Sequence, residues 1–382
     1  MATPPTSAPR SNDAQAQAQN QAQGQAQAQD RARAQFEQAQ TLDAQGRHAE
    51  AANALRQAST AGYVPAMTFL AARLLTGRGA APAPVDGVAL MSMAARAGGA
   101  DANTMMATLT ASGFGVRQSW DAALDHLQRG AELGAVRAQG QLQVLAASGG
   151  RTVDVAASGA DWAALRRAVD LAPWFVPAAR RSLSEAPRMR AAAGFAPPAV
   201  CDWLIARGRV LARPALVFDQ ATGGPMAVDA RSNSAAEFDI VQGDVVTLLV
   251  QARIGVTLGV PVQVMEPMQV LHYRVGQQFA PHFDHLDVSE PGYAADVAQR
   301  GQRIATFLLY LNDDFEGGET HFPTIGLTYR GRRGDALYFA NVDTANQPDP
   351  LTLHAGLPPT SGEKWLLSQW MRDRSEPVAP PR

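Results

Sequence analysis

A chain of 382 residues is longer than most single domains, so its length predicts two compact units with room for buried cores. The formal net charge of −2 excludes the broad positive field that nucleic acids and anionic membrane surfaces attract, so we expect neither as a partner. The single cysteine, Cys201, excludes an intrachain disulfide and a zinc site built from several thiolates, and it indicates a reducing, cytoplasmic compartment.

The first segment, residues 1–40, is rich in alanine, glutamine, serine and proline, and we expect it to be a disordered tail. It lacks the apolar core that a secretory signal peptide needs. Elsewhere, no uncharged apolar run approaches the roughly 20 residues that span a bilayer, so the sequence predicts no membrane segment. Residues 374–382 are expected to form a second disordered tail.

A helical repeat is predicted over residues 41–150, because this part of the sequence matches itself at a period of 36 residues. The positions that coincide are Gly62, Gly98 and Gly134; Ala66, Ala102 and Ala138; Leu55, Met91 and Leu127; Leu70, Met106 and Leu142; Gly77 and Gly113; and Gly79 and Gly115. Glycines would end the helices, small residues would allow close approach, and large apolar residues would fill the seams. The pattern resembles the Sel-like branch of the tetratricopeptide repeats. Two interpretations stay open: a groove that binds a peptide or protein partner, and an architectural spacer.

A second domain is predicted over residues 186–373, after a connecting helix and proline-rich linker in residues 151–185. Helical patterns cover 161–171, 202–211 and 244–258, and period-two strand patterns cover 268–273, 303–312, 335–340, 351–354 and 364–371. Short strands separated by glycine, proline and aspartate turns favour a double-stranded β-helix, or jelly roll, with flanking helices. The expected fold class is therefore α+β, with a helical solenoid followed by a jelly-roll barrel.

A metal site is predicted in this second domain, where five of the seven histidines cluster. His282 and Asp284 lie two residues apart, so both side chains would project from one face of an extended segment. His354, at the end of a late strand, can supply a third ligand. Two histidines and one carboxylate leave coordination positions open on iron(II), and the lack of paired cysteines argues against structural zinc.

Lys364 is the only lysine of the chain, which uses arginine everywhere else. It follows His354 by ten residues, across a turn that contains Gly356, Pro358, Pro359 and Gly362, and we expect an antiparallel hairpin to bring the two side by side. A compact ammonium at this place would suit a narrow pocket for a carboxylate. The distal carboxylate of 2-oxoglutarate, whose other end binds iron, is the predicted partner.

These residues belong to six ordered blocks that resemble the prolyl 4-hydroxylase branch of the iron(II)- and 2-oxoglutarate-dependent oxygenases. The blocks are Tyr273 to Phe279 with Pro281 to Asp284, the segment RIATFLLYLN at 303–312, Gly317 to Thr320, Gly334 to Leu337, His354 to Gly356, and Gly362 to Trp365 followed by Trp370. The resemblance implies iron(II) as the metal, 2-oxoglutarate and dioxygen as co-substrates, and ascorbate as a reductant.

The resemblance also implies roles for single residues. His282, Asp284 and His354 correspond to the iron ligands, and Lys364 corresponds to the residue that pairs with the distal carboxylate. The remaining correspondences are Tyr273 and Thr320 as hydroxyl donors to 2-oxoglutarate, Trp370 as an aromatic wall, and Arg303 as a residue at the substrate entrance. No side chain is expected to act as an acid or base beyond the metal centre.

Two departures from the family pattern concern the same region. Phe279 stands where relatives often have tyrosine, which removes a hydroxyl from the expected substrate side and leaves the substrate open. A second pair, His285 and Asp287, repeats the spacing of His282 and Asp284 and is the alternative ligand set. His272 and His321 are expected to be structural or to lie behind the ligands.

The function implied by the resemblance is hydroxylation of an unactivated C–H bond, coupled to conversion of 2-oxoglutarate into succinate and carbon dioxide. A prolyl residue in a peptide or protein is the expected substrate, and the helical repeats are a candidate docking surface. Three alternatives stay open: a hydroxylase of a free amino acid or small metabolite, a binding or regulatory protein with a silent barrel, and a zinc-type hydrolase or isomerase. The last would have no need for a cation beyond the metal.

Overall fold

The computed structural model describes residues 11–148, 161–215, 217–218, 225–226 and 231–375. Its contacts divide the chain into two compact units, Met1–Ala138 and Gln139–Arg382. Across the described ranges, we find no helix with both the length and the hydrophobicity to cross a membrane.

The helices and strands follow one another in a simple order, with helices first and most strands afterwards. The helices are α1 (Ser11–Ala44), α2 (His48–Thr60), α3 (Val64–Thr76), α4 (Pro84–Arg96), α5 (Ala100–Ser112), α6 (Trp120–Glu132), α7 (Val136–Ser148), α8 (Trp162–Ala168), α9 (Pro198–Leu211), α10 (Val245–Leu258) and α11 (Pro291–Arg300). The strands are β1 (Arg181–Glu185), β2 (Arg188–Ala192), β3 (Arg213–Pro214), β4 (Val217–Phe218), β5 (Pro225–Met226), β6 (Ser234–Phe238), β7 (Met268–Tyr273), β8 (Phe279–His282), β9 (Arg303–Tyr310), β10 (Glu316–Gly317), β11 (Thr320–Phe322), β12 (Leu327–Tyr329), β13 (Ala336–Ala340), β14 (His354–Gly356), β15 (Pro359–Ser361) and β16 (Lys364–Arg372).

Helices α2 to α7 confirm the predicted repeat. Each of the six helices has 13 residues, and they form the pairs α2–α3, α4–α5 and α6–α7. The first helix of each pair begins at His48, Pro84 or Trp120, in steps of 36 residues. The coinciding residues Ala66, Ala102 and Ala138 are fully buried, as expected for small residues at helix contacts. Gly77 and Gly113 end α3 and α5 in the left-handed conformation, which glycine adopts at little cost.

Helix α1 overturns the prediction of a disordered tail over residues 1–40, although residues 1–10 lie outside the described ranges. The low hydrophobicity of the segment led to the prediction of disorder, whereas the high helix propensity of alanine and glutamine favours a helix. The second half of α1 also has an apolar stripe. Ala32, Phe36, Ala39 and Leu42, spaced three or four residues apart, pack in one cluster with residues of α2.

The second unit confirms the predicted jelly roll. Its larger sheet has eight strands in the order β1-β2-β13-β9-β16-β7-β6-β3, and the smaller sheet has four in the order β12-β11-β14-β8. Alternate residues of β9 and β16 point toward the smaller sheet. The opposite face is covered by helices, and Gln251 of α10 bonds Gln369 of β16 at 3.0 Å. Strand β16 is therefore buried on both faces along its whole length.

The sequence located the central strands well and the domain borders less well. Strand β7 matches its predicted range, and α10 is one residue shorter than predicted because Asp244 is its N-cap. The prediction of a strand over 351–354 was wrong, since a turn of 3₁₀ helix occupies Pro350–Thr352 and the strand begins at His354.

The predicted linker over 151–185 is also corrected. Its helix is α8, seven residues long, and Asp161 caps it by accepting a hydrogen bond from the Ala164 amide. Strand β1, at Arg181–Glu185, already belongs to the larger sheet through its pairing with β2, so the barrel begins before residue 186. The first unit ends at Ala138, within α7, and not at 150. Residues 151–160 and most of the predicted tail, 376–382, lie outside the described residues.

Candidate metal and co-substrate site

A cavity opens between the two sheets of the second unit and has a volume of about 400 Å³, including the part open to solvent. Its walls come from the inward residues of β7, β9 and β16 on one side and from β8, β11 and β14 on the other. The lining residues are Arg231, Leu271, Tyr273, Phe279, His282, Asp284, Leu308, Thr320, His354, Gly356, Lys364, Leu366, Ser368 and Trp370. All the residues predicted for the site line this cavity except Arg303.

His282 and His354 face each other across the smaller sheet. They form a direct cross-strand pair between β8 and β14, so the strand register holds the two imidazoles together. The Nδ1 atom of His282 lies 2.8 Å from the Ala280 carbonyl oxygen, and Nδ1 of His354 lies 2.9 Å from that of Thr352. A carbonyl only accepts, so each Nδ1 carries the proton. Both Nε2 atoms are therefore left to bind a metal.

Asp284 completes the cluster from the segment that follows β8. Its Oδ1 lies 3.6 Å from Nε2 of His282, and its Oδ2 lies 3.5 Å from Nε2 of His354. Burial acts to raise the pKa of this carboxyl, but His354, His282 and a hydrogen bond from Thr306 outweigh it and lower the pKa below its usual range. Burial, together with His282, lowers the pKa of His354 to about 4. An anionic carboxylate and a neutral imidazole are the protonation states that a metal needs.

The three side chains fit a divalent metal ion. One ligand atom from each lies within 4.8 Å of the others, and no other group of three or more such residues occurs in the described part of the chain. Two imidazoles and a carboxylate, without thiolates, suit iron(II) with open positions.

Lys364 approaches the cavity from the opposite sheet. It begins β16 and pairs directly with Tyr273 of β7, whereas His354 belongs to the smaller sheet. The predicted hairpin between His354 and Lys364 was therefore wrong. The intervening strand β15 pairs with β10, and the turn at Gly362 carries the chain from one sheet to the other. The two residues face each other across the core instead of lying side by side.

The ammonium group of Lys364 is fully buried, and within the described residues it has no hydrogen-bond partner. It lies 5.2 Å from the centre of the Tyr273 ring and 5.6 Å from that of Tyr310. Burial lowers the pKa of Lys364 to about 7, because the charged form loses its water and gains little from Glu319. Such a group needs an anionic partner. A carboxylate in the cavity would satisfy it, so the residues present fit a dicarboxylate with its other end at the metal.

Two hydroxyl groups line the same part of the cavity. Burial raises the pKa of Tyr273 to about 12, so this phenol keeps its proton and can donate it to a ligand. The Thr320 hydroxyl lies 2.8 Å from that of Tyr310. The Tyr310 hydroxyl also lies 3.1 Å from the Tyr329 carbonyl oxygen, which can only accept its single proton. Thr320 keeps its own proton for a ligand when Tyr310 turns from that carbonyl to donate to Thr320.

Trp370 and Phe279 form aromatic walls. Arg303 lies behind Trp370, with its guanidinium carbon 3.9 Å from the ring centre, and it binds both carboxylate oxygens of Glu266, at 2.6 and 2.8 Å. Arg303 is thus paired with an acidic residue and does not line the cavity, and its place at the substrate entrance stays a prediction. Phe279 is stacked on His282 with 3.5 Å between ring centres, and Arg231 lies over it at 4.7 Å.

The other candidate histidines lie outside the metal cluster. The His285 ring is tilted against Phe283 with 4.8 Å between ring centres, and the carboxylate of Asp287 accepts a hydrogen bond from the Ser289 amide. Neither residue of this alternative pair belongs to the metal-type group found among the described residues. His272 stacks on Trp365 with ring centres 4.0 Å apart, on the face of β7 away from the cavity. Nδ1 of His321 lies 2.9 Å from the Thr328 hydroxyl, near the surface.

Arg231, Thr306 and Asn341 are among the polar residues at the site that sequence reasoning missed. Thr306 gave a usable signal, since it is a polar residue at an inward position of the apolar run RIATFLLYLN. Arg231 and Asn341 gave none. One precedes β6 and the other follows β13, so only the fold brings them to the cavity or its border.

Comparison with known proteins identifies relatives of this chain. A sequence profile of the 2OG-Fe(II) oxygenase superfamily matches residues 268–372. Prolyl 4-hydroxylase 1 of Arabidopsis thaliana is 33% identical over 207 residues, which cover 50% of this chain and 71% of the relative.

Solved structures resemble each part of the chain. The 2OG complex of the viral collagen prolyl hydroxylase from Paramecium bursaria Chlorella virus-1 is 26% identical, with a TM-score of 0.37, over 48% of this chain and 95% of that one. A Sel1 repeat protein from Oxalobacter formigenes is 25% identical, with a TM-score of 0.26, over 33% of this chain and 53% of the other.

Proposed function

Because this chain belongs to the prolyl 4-hydroxylase family of 2OG-Fe(II) oxygenases, we propose that it hydroxylates a prolyl residue in a peptide or protein. The observation that carries the proposal is that one cavity contains both a metal-type cluster and a buried lysine with no hydrogen-bond partner among the described residues. A zinc-type hydrolase or isomerase would leave that lysine without a purpose. A silent binding module would leave both features without one.

The chain's residues divide the task between them. His282, Asp284 and His354 would hold iron(II), and Lys364 would pair with the 5-carboxylate of 2-oxoglutarate. Tyr273 and Thr320 would donate hydrogen bonds to the co-substrate. When bound, iron(II) and 2-oxoglutarate supply the oxidising power for C–H hydroxylation, with dioxygen consumed and succinate and carbon dioxide released.

The protein's own contribution is orientation and exclusion of water. The walls formed by Trp370, Phe279, Leu308 and Leu366 keep the space around the metal largely apolar. Phe279 carries no hydroxyl, so the substrate side relies on shape and on the guanidinium of Arg231 for polar contact. We propose ascorbate as the reductant that keeps the metal ferrous.

The helical repeats are proposed to bind a protein or a long peptide substrate. A solenoid presents an extended surface, and relatives named prolyl 4-hydroxylase suggest a polypeptide substrate. A longer peptide should then show a lower KM than a short peptide around the same proline, with similar kcat, because remote contacts add uniform binding energy. Equal KM values for both lengths would count against a docking role.

The proposed activity is tested with purified protein, iron(II), ascorbate, 2-oxoglutarate and a library of proline-containing peptides. Hydroxylation adds about 16 Da to the peptide, and succinate should form in equal amount. His282→Ala should abolish both products. His285→Ala is the matched control, since this neighbouring histidine lies outside the cluster, and it should retain turnover.

Two results would redirect the proposal. Hydroxylation of free amino acids, with peptides left unmodified, would favour a small-molecule hydroxylase. No succinate with any substrate, in a protein that still binds 2-oxoglutarate, would favour a regulatory role.

A further inference from the structure

Asp284 receives a short hydrogen bond from a residue that the proposed reaction does not use. The hydroxyl of Thr306 donates to Oδ2 of Asp284 at 2.6 Å, across 22 residues of sequence. Thr306 is fully buried and Asp284 is 4% exposed, so water does not compete for this contact. A buried hydroxyl bonded to a carboxylate at this distance is a strong, charge-assisted contact.

Asn341 fixes the direction of that hydrogen bond. Its amide nitrogen donates to the Thr306 hydroxyl at 3.0 Å, whereas its amide oxygen is farther away, at 3.3 Å. A hydroxyl that accepts from Asn341 has its single proton left for Asp284. The Asn341 backbone is held on both sides: its N–H donates to Ile304 at 2.8 Å, and its carbonyl accepts from Asp349 at 3.0 Å.

We propose that Thr306 and Asn341 are positioning residues that make Asp284 bind the metal through Oδ1 alone. The inference rests on the metal role proposed for Asp284. Both carboxylate oxygens border the metal position, with Oδ1 3.6 Å from Nε2 of His282 and Oδ2 3.5 Å from Nε2 of His354. Because Oδ2 already accepts the hydrogen bond from Thr306, Oδ1 is the oxygen left to bind the metal. A carboxylate bound through both oxygens would occupy a further coordination position, and that position is needed by 2-oxoglutarate and dioxygen.

The strand geometry supports a positioning role over simple filling of the core. Thr306 lies on the inward face of β9, in line with Leu308 of the cavity wall, and its neighbours in the adjacent strands are Phe339 and Trp370. An apolar residue of the same shape would suit such surroundings. The role of the Thr306 hydroxyl is therefore its hydrogen bond to Asp284. Hydrogen bonds to metal-binding residues orient those residues and tune metal affinity.

The test compares Thr306→Val, which keeps the shape and removes the hydroxyl, with Thr306→Ser, which keeps the hydroxyl. Cobalt(II) is the probe, and the readouts are its dissociation constant and the visible spectrum of the cobalt-loaded full chain. We expect Thr306→Val to weaken cobalt binding by about 10- to 100-fold and to change the spectrum, because the carboxylate can rotate to a second mode. Thr306→Ser should stay within about threefold of the wild type.

Asn341→Ala is the second test variant. It keeps the Thr306 hydroxyl but removes the amide that directs the hydroxyl proton toward Asp284. An intermediate loss of cobalt affinity is expected. Thermal unfolding of the metal-free variants separates stability from positioning: a purely structural role would lower the melting temperature with cobalt affinity and spectrum unchanged, and that result would overturn the inference. His282→Ala with wild-type cobalt affinity would instead refute the metal site itself.

Discussion

At the scale of single residues, the site depends on groups whose charge or proton is set by burial. Lys364 is the clearest case, because its ammonium is fully enclosed and its pKa falls to about 7. The free protein therefore holds a mixture of charged and neutral lysine near neutral pH. Binding of a carboxylate draws the mixture toward the charged form.

A pH dependence of co-substrate binding follows. Below about pH 7 the lysine is already protonated, and above it a proton must be taken up on binding, so affinity for 2-oxoglutarate should fall by about tenfold per pH unit. Calorimetric titration of manganese(II)-loaded protein between about pH 6 and pH 9 measures this. Lys364→Arg is the control: its guanidinium stays charged, so the slope should disappear although overall affinity drops. A wild-type affinity that stays constant above pH 7 would contradict the assigned pocket.

The sequence predicted this residue-scale chemistry unevenly. Spacing located His282, Asp284 and His354, which the fold brings together, and the uniqueness of Lys364 pointed to the cavity. Spacing could not reveal the roles of Thr306 and Asn341, because the contact of Thr306 with Asp284 spans 22 residues and that of Asn341 with Thr306 spans 35. The pairing of Arg303 with Glu266 was missed for a related reason, because the two residues lie 37 positions apart.

At the scale of elements, strand register decides which side chains meet. The pair of His282 with His354 comes from β8 and β14, and the pair of Lys364 with Tyr273 comes from β7 and β16. Periodicity in the sequence predicted β7 and most of β16. It could not predict how strands pair, which is why the expected hairpin between His354 and Lys364 failed. Strand β14 is only three residues long and carries too short a pattern to read.

The turns of the helical repeat allow a matched stability test. Gly79 has a φ of +69°, and a Cβ there would overlap the carbonyl oxygen of His48, whereas Gly98 has a φ of +83° with open space around it. Gly98→Ala should lower the free energy of unfolding of the first unit by roughly 1 kcal/mol, the cost of a left-handed alanine. Gly79→Ala should cost roughly 3 kcal/mol, since strain and overlap add.

Urea denaturation followed by circular dichroism measures both variants. The φ angles of the two glycines are similar, so the left-handed strain should be similar in both variants. The difference between their losses of unfolding free energy therefore measures the overlap of the new Cβ at position 79 with the His48 carbonyl. Equal losses would mean that the turn relaxes without cost.

At the scale of the whole molecule, the two units differ in what stabilises them. The first depends on small and apolar residues between helices, as in other solenoids. The second also contains the site, so its stability should depend on ligands. The helical part was predictable because each repeat is short and local, while the barrel required contacts distant in sequence.

Ligand binding should therefore raise the stability of one unit selectively. Manganese(II) and 2-oxoglutarate, with the latter at 100 times its dissociation constant, should stabilise the second unit by about 2.7 kcal/mol. Differential scanning calorimetry would record a higher transition temperature for that unit and an unchanged one for the first. His282→Ala should remove the shift, and a shift that persists in this variant would place the metal elsewhere.

The positions of the histidine pair and the lysine on opposite sheets make the barrel a length gauge. Two packed sheets stand about 10 Å apart, and their separation is fixed by the side chains between them. The histidine and lysine side chains occupy part of that gap, and a diacid can touch both ends only if its carbon chain spans the remainder. We expect a compound one carbon shorter than 2-oxoglutarate to reach the metal and miss the ammonium, so the thickness of the core itself selects the co-substrate.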